Sequence, residues 1–426
     1  MNKKAYIISG LFLFFLAALI AFPQETILIK NGTIVPVTGK TIKNGDLLIQ
    51  NGKILKIGAA IKAPSDAVII EASGKYVYPG IIALMTAVGV TGYPGAGNDQ
   101  NEVGLVTPQI DPYDAINPED NTIEVTRMGG VTTVHTTSGS SNIINGKSVI
   151  LNLEGTLAQE MVIKKYAAQI FNIGVRGENK YPTTLSGTVT LIREKLDNAL
   201  KYYTEKKNEK TGKENSSKRD LEMEALVPVV TGKVRAIFLT NDEVTLRNAV
   251  SIIKDYNLKG IIQAGKGVYK YADKLAEEKI PVIWVGTTAG PGRWEPFDKY
   301  FRAAGMLAEK GIIFAFATGG FGGGSYNIRN LPLPAAISVA LGLAEEEALK
   351  ALTIYPAKIL GIDDMLGSLE AGKMANVVIW TGSPLQMTSR IHKVIINGKL
   401  IPETSVQTQL RDKFDKIVRK RMKKKK

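Results

Sequence analysis

The sequence predicts an α/β fold: a (β/α)8 TIM-like barrel with a small β module assembled from both chain ends. Three observations predict it. Strand-like and helix-like runs alternate through the middle of the chain. Short β-rich runs with Asn-Gly turns sit at both ends. The 426 residues suffice for one large domain and one smaller one. A hydrophobic fraction of 44% and a charged fraction of 22% are ordinary for a globular protein.

Residues 1–22 come first. Lys3 and Lys4 precede an uncharged apolar run from Ala5 to Phe22, closed by Pro23. This is the pattern of a signal peptide or an N-terminal anchor. Ala21 suits the last position before a cut, while Leu19 is large for its place upstream, and an uncut run of this length just spans a bilayer. Export to the periplasm or cell surface is the expectation. The chain has no cysteine, which excludes disulfides, thiolate catalysis and Cys-ligated zinc.

Residues 23–78 read as all-β. Ile27-Leu28-Ile29, Ile34-Val35, Asp46 to Ile49, Lys53 to Ile57 and Val68-Ile69-Ile70 are short β-rich runs, with turns at Asn31-Gly32, Asn44-Gly45 and Asn51-Gly52. The other half of this module is expected over 369–402, where Ala375 to Trp380 and Val394 to Leu400 repeat the pattern around Asn397-Gly398. Between them, over 79–368, the runs Val131 to Val134, Ala236 to Leu239, Gly260 to Ile262, Pro281 to Val285 and Ile312 to Phe316 alternate with helix-like stretches. Those stretches are Asp242 to Tyr256, Gly267 to Glu278 and Trp294 to Lys310. Such alternation predicts βα units around a parallel sheet.

Two segments stand apart. Residues from about 192 to 224 are highly charged, with Leu196, Ala199, Leu200 and Tyr203 at helical spacing and a polar stretch from Lys206 to Arg219. They predict a helical insertion, a lid or a surface hairpin. The tail, 403–426, concentrates charge: Arg411 to Lys426 holds ten Lys or Arg against Asp412 and Asp415, +8 of the chain's net +14. The block Lys423 to Lys426 is expected to be disordered, and the tail to suit an anionic membrane or cell-wall polymer. No nucleic-acid-reading motif accompanies it, so nucleic acid is not an expected partner.

The chain resembles the amidohydrolase superfamily, near its imidazolonepropionase-like and dihydroorotase-like branches. Three stretches carry the resemblance. Tyr76-Val77-Tyr78-Pro79-Gly80 leads into a first barrel strand, and Gly129-Gly130-Val131-Thr132-Thr133-Val134 resembles the second. The most specific stretch runs from Ala344-Glu345-Glu346-Glu347 through Leu366-Gly367-Ser368-Leu369-Glu370-Ala371-Gly372-Lys373 to Ala375-Asn376-Val377-Val378-Ile379-Trp380. The resemblance covers nearly the whole mature chain. It implies a small β-sandwich built from both ends beside the barrel, and a metal site at the barrel mouth. It also implies hydrolysis of a C–N bond, with a metal-bound water as nucleophile and an aspartate as proton shuttle.

This sequence departs from that pattern where the chemistry sits. Met85 and Ala87 occupy the positions of the paired histidines after Pro79-Gly80, and Ala83 that of the preceding aspartate. The later ligand positions fall at Thr240 and Ala264, and the catalytic aspartate's at Gly319. The chain holds only His135 and His392. No metal and no cofactor is therefore expected. A non-catalytic relative is the favoured reading, binding a small molecule or pairing with itself or with an active homologue. A C–N hydrolase is the alternative, and a surface-attached protein using the Lys-rich tail is the third.

Candidate residues follow from strand ends and loops, where this barrel type keeps its chemistry. His135 ends a strand and is followed by the hydroxyl-rich Thr136 to Ser141, which invites a Ser–His pair, though no nucleophile elbow or orienting carboxylate accompanies it. The ligand-binding set is His135, Thr136, Asn241, Lys266, Thr287, Arg293 and Thr318. Glu154, Lys147, Asp242 and Trp294 are further rim groups, and Gly319 to Gly324 forms a glycine-rich loop that is not a P-loop. His392 belongs to the small β module.

Overall fold

The computed structural model describes residues 25–92, 99–100, 102–210, 218–265, 267–287, 295–318 and 322–423. Five strands open the chain: β1 (Ile27–Ile34), β2 (Ile42–Gln50), β3 (Lys53–Gly58), β4 (Val68–Glu71) and β5 (Tyr76–Pro79). Nine follow: β6 (Ile81–Thr86), β7 (Val131–Thr137), β8 (Ile144–Asn152), β9 (Val162–Lys164), β10 (Ala168–Asn172), β11 (Arg235–Leu239), β12 (Gly260–Ala264), β13 (Val282–Trp284) and β14 (Phe314–Phe316). Three close it: β15 (Val377–Trp380), β16 (Ile391–Ile396) and β17 (Lys399–Ile401).

Both ends of the chain enter one eight-stranded sheet, ordered β17-β16-β15-β5-β1-β2-β3 with β4 beside β1. The turn chemistry read from the sequence is in place: Asn31, Asn44, Asn51 and Asn397 all take positive φ, near 50–58°, which asparagine tolerates better than most residues. One face buries Ile27, Ile29, Leu47, Ile49, Val77, Val377, Ile379 and Ile395 together. Val377 pairs with Pro79 and Trp380 with Tyr76, so β15 lies against β5 antiparallel.

The second sheet has nine strands, ordered β14-β13-β12-β11-β10-β8-β7-β6, with β9 beside β8, and curls into a nearly closed barrel. Its strands are parallel except at one place, which corrects the expectation of a purely parallel (β/α)8 sheet. β8 runs antiparallel to both neighbours, Thr137 opposite Ser148 on β7 and Gln169 opposite Lys147 on β10. The cause is loop length. Only 138–143 separate β7 from β8, far too few residues for a crossover, so the chain must turn straight back.

Alternation along the strands sets two layers. Ile82, Leu84, Ile150, Ile170, Ile237, Leu239, Ile261 and Ile283 fill the interior, with Ala357 and Leu360 of the helix Ile354–Leu360 packed against them. Phe171, Phe238, Ile262, Trp284 and Phe314 face outward under the helices. The charged insertion is part of that outer layer. Helices Leu185–Lys210 and Leu221–Val230 connect β10 to the parallel β11 and bury Leu196, Ala199, Leu226 and Val229 in the barrel's outer core. They are the crossover between two strands rather than a lid.

Asn376, just before β15, ties the two sheets together. Its buried amide donates to Asn152 Oδ1 (2.7 Å) and Thr133 Oγ1 (3.1 Å), and its Oδ1 accepts from Asn397 N–H (2.8 Å). Most of the tail, Val406–Lys423, is a helix, and Lys424 to Lys426 of the block expected to be disordered lie outside the described residues. Among the described residues no helix is long and apolar enough to cross a membrane.

Candidate functional site

β6, β7 and β10 to β14 all finish at one rim, and the residues before and after those ends form the candidate site. His135 lies below this rim on the inward face of β7 and is wholly buried. Its Nδ1 accepts from the Met85 N–H at 3.4 Å, and its Nε2 lies 2.7 Å from Ser148 Oγ. Ser148 is itself saturated: Oγ accepts from Ala168 N–H (2.9 Å) and donates to Ala168 O (2.9 Å). The network allows one assignment. Nδ1 is bare, Nε2 carries the proton, and that proton points at Ser148.

This is a Ser–His pair in distance but in the wrong tautomer for a base. A base needs a bare Nε2 to take the hydroxyl proton, whereas here that proton is committed to the Ala168 carbonyl. Burial and the charge of Lys164 push the imidazole down to about 3, so it is neutral across the physiological range. His135 thus pins β6, β7, β8 and β10 together as a structural group. Met85 serves the same pin. Its φ of +56° lies in the left-handed region, and the β6–β7 register shifts between Ala83 and Thr86. This bulge turns the Met85 N–H toward the ring.

Four buried polar atoms at or beside the ends of these strands have no hydrogen-bond partner among the described residues: Thr137 Oγ1, Ser138 Oγ, Gln263 Oε1 and Thr318 Oγ1. By strand alternation Thr137 and Gln263 share the inward face with His135 and Ile261. Gln263 is level with Asn172 through the register Asn172–Leu239–Gln263. Asn241 lies beside Gly174, whose absent side chain leaves room for its amide. The rim therefore presents amides and hydroxyls. The buried carboxylate beyond β6, Asp120, is fully used: it accepts from Gly89 N–H, Gly92 N–H, and both the N–H and hydroxyl of Thr122.

Several expected site residues have other work. Thr136 points away from the interior and donates to Val88 O (2.7 Å), because adjacent residues on a strand face opposite sides. Thr287 accepts from Trp284 Nε1 (2.6 Å) and sits beside Ser338. Asp242 caps the helix Glu243–Asp255 through Thr245. Ala264 packs outward under the helices, and its neighbour Gln263 takes the inward position. Thr240 donates to Gln263 O (3.0 Å). Met85 and Ala87 are buried and apolar.

Glu154 does not join the rim, and Lys147, level with Ser138 at the rim end of β8, spends its side chain elsewhere. β8 runs backward, so its end near Glu154 lies at the far side of the barrel, where Glu154 meets Arg127 (3.4 Å) and Lys399 (3.6 Å). Lys147 pairs with Asp111 (3.4 Å). His392 is on β16, half-buried, with its pKa lowered by burial and by Lys75 and Lys393. Lys266, Arg293, Trp294 and Gly319 lie outside the described residues.

A catalytic metal does not fit these residues. Such a site needs three or more converging His, Asp or Glu ligands. Among the described residues no group of three such side chains is placed to hold an ion. The one histidine near the rim has both ring nitrogens engaged.

Comparison with known proteins follows the same outline. A model of the amidohydrolase family matches residues 198–401. The crystal structure of an amidohydrolase from Thermotoga maritima superposes with a TM-score of 0.80 at 30% identity, covering 88% of this chain and 99% of that one. The amidohydrolase tasK of Hapsidospora irregularis is 25% identical over 376 residues, 80% of this chain but 38% of that protein. An imidazolonepropionase of Shewanella baltica is 43% identical over 65 residues, 14% of this chain and 16% of that one. The chain thus spans well under half the length of either of these two relatives.

Proposed function

The chain belongs to the amidohydrolase family, and from that premise we propose that it is an exported member that binds a small neutral polar ligand at its barrel mouth without metal-dependent hydrolysis. One observation carries this reading: the only histidine near the mouth is locked, neutral and proton-bearing toward Ser148, while the unpartnered groups near the same rim include the amide oxygen of Gln263 and the hydroxyls of Thr137, Ser138 and Thr318. Neutral donors and acceptors orient an amide or a hydroxylated ligand through hydrogen bonds. They neither lower the pKa of a water nor carry a proton to a leaving nitrogen. Export rests on Lys3, Lys4 and the apolar run behind them.

The second reading is a C–N hydrolase. It is favoured by the likeness to the Thermotoga amidohydrolase along almost its entire length. Elemental analysis of natively purified protein, with an assay on linear and cyclic amides, separates the two. The expected result is less than about a tenth of an equivalent of Zn, Mn, Fe, Co or Ni and no turnover. Near-stoichiometric metal with turnover returns the hydrolase to first place. Pairing with an active homologue is tested by native pull-down from the source cell; a clean monomer there counts against it.

The C-terminal helix supports a further part of the proposal, attachment to an anionic lipid surface. On Val406–Lys423, Val406, Leu410, Phe414, Ile417 and Val418 form one apolar stripe, and all are exposed, Phe414 by 56%. The rest of the helix is dense in Lys and Arg. A basic amphipathic helix of this kind lies in the headgroup region of an anionic bilayer. A second copy of the chain is a poor partner, because like charges would be brought together. Vesicles containing phosphatidylglycerol are expected to co-sediment the protein, and pure phosphatidylcholine vesicles are not. Phe414→Glu with Ile417→Glu should weaken binding by about tenfold or more. Equal binding to both vesicle types would end the idea.

A further inference from the structure

The end of the barrel opposite the mouth gathers a cluster of cations. A cavity of about 490 Å³ opens there, beneath the first residues of β11 to β14. Arg235 and Lys259 enter it from the starts of β11 and β12, Lys279 from the loop before β13, and Lys358 from the helix Ile354–Leu360. The single carboxylate in its lining, Glu278, is already bridged to Lys254 (2.7 Å) and Lys274 (3.0 Å). The cavity's own four cations form no ion pair among the described residues.

Arg235 is the centre of the cluster. It shares the inward face of β11 with Ile237, is half-buried, and its guanidinium hydrogen-bonds to no described residue. The fork lies against Gly361, where an added Cβ would collide with its terminal nitrogens. That glycine has φ +66° and ends the helix Ile354–Leu360. Lys164, on β9, is a close neighbour: burial, then Arg235 and Lys259, hold its pKa below the usual lysine range. Its Nζ donates to Leu360 O (3.2 Å), a common way for a cation to settle a helix C-terminus. That accounts for Lys164. It leaves the Arg235 fork, Lys259, Lys279 and Lys358 without a hydrogen-bond acceptor among the described residues.

Arg235 is half-buried with Asp363 acting on it as a counter-charge, while Lys259, Lys279 and Lys358 stand exposed around the opening, so the cluster keeps a net positive charge that attracts an anion. A planar guanidinium with a free fork, flanked by flexible lysines, matches an oxyanion in geometry and in charge. We propose that this cavity is a second ligand site, separate from the mouth, that takes a phosphate-type dianion, free or as the phosphoryl group of a small metabolite. Arg235 grips the oxygens bidentately, and Lys259 and Lys358 neutralise the remaining charge. The site does not depend on what the mouth does.

The test uses inorganic phosphate on the full-length protein, followed by calorimetry and by thermal unfolding, with sodium chloride at matched ionic strength as the control. Phosphate is expected to bind saturably and raise the melting temperature, where chloride does not. Arg235→Gln should weaken binding by about tenfold or more, and in phosphate-free buffer should melt no lower than the parent, because it relieves a cluster of like charges. Lys358→Gln, an exposed change that leaves the fold intact, should weaken binding several-fold. Phosphate acting no better than chloride, or unchanged phosphate binding by both variants, overturns the proposal.

Discussion

His135→Ala is expected to destabilise the protein by about 3–5 kcal/mol, measured as the free energy of urea unfolding. The residue is fully buried, so truncation opens a cavity among β6, β7, β8 and β10. It also strips the Met85 N–H of its acceptor and leaves Ser148 Oγ without the Nε2 proton. The same residue sets a pH dependence. Its folded pKa of about 3 lies below the ordinary 6.5. As pH falls below about 6.5 the unfolded chain takes up a proton that the folded chain refuses, so stability drops by up to about 1.4 kcal/mol per pH unit until the folded pKa is reached. Above that window the contribution is whole. In His135→Gln this slope should flatten between about pH 6 and pH 4. A parent and variant with parallel pH profiles would show that His135 is protonated in the native protein, and the tautomer argument would fall with it.

Asn376→Leu should cost about 2–4 kcal/mol, although the side chains are similar in size. It removes the donors to Asn152 and Thr133 and the acceptor of the half-buried Asn397 N–H. Because these bonds cross from the small sheet to the barrel, the variant is also expected to lose cooperativity, with β15 to β17 opening before the barrel. Unfolding followed at once by the fluorescence of Trp380 in β15 and Trp284 in β13 should then give two midpoints in place of one. A loss below about 0.5 kcal/mol would mean that packing alone joins the two sheets.

The sequence made the architecture legible wherever local chemistry decides it. Asn-Gly turns marked the small sheet, and apolar runs such as Ile237-Phe238-Leu239 marked the barrel strands. Strand direction was not local. β8 has the same apolar character as its neighbours, and only the short 138–143 link betrays that it turns back. Facing was lost for a related reason: Ile261-Ile262-Gln263-Ala264 is buried on both sides, so no alternation told that Gln263 and not Ala264 looks inward. His135 could be placed at a strand end, but its partners Met85 and Ser148 come from two other strands. The tail's helix is written in the spacing of Val406, Leu410, Phe414 and Ile417, inside a dense run of charge. Arg235, Lys259 and Lys358 are scattered along the chain, and only the fold brings them together.

The sheet shared by both chain ends has a consequence for biosynthesis. Until residues 377–401 leave the ribosome, β5 has an open edge along Tyr76 to Pro79, and the apolar face of β1 and β2 lacks the strands that cover it. An unpaired edge beside bare isoleucines is a template for aggregation. The last strands to be made therefore decide when the first can safely fold, and a nascent chain stalled short of Val377 is expected to be the form most dependent on chaperones.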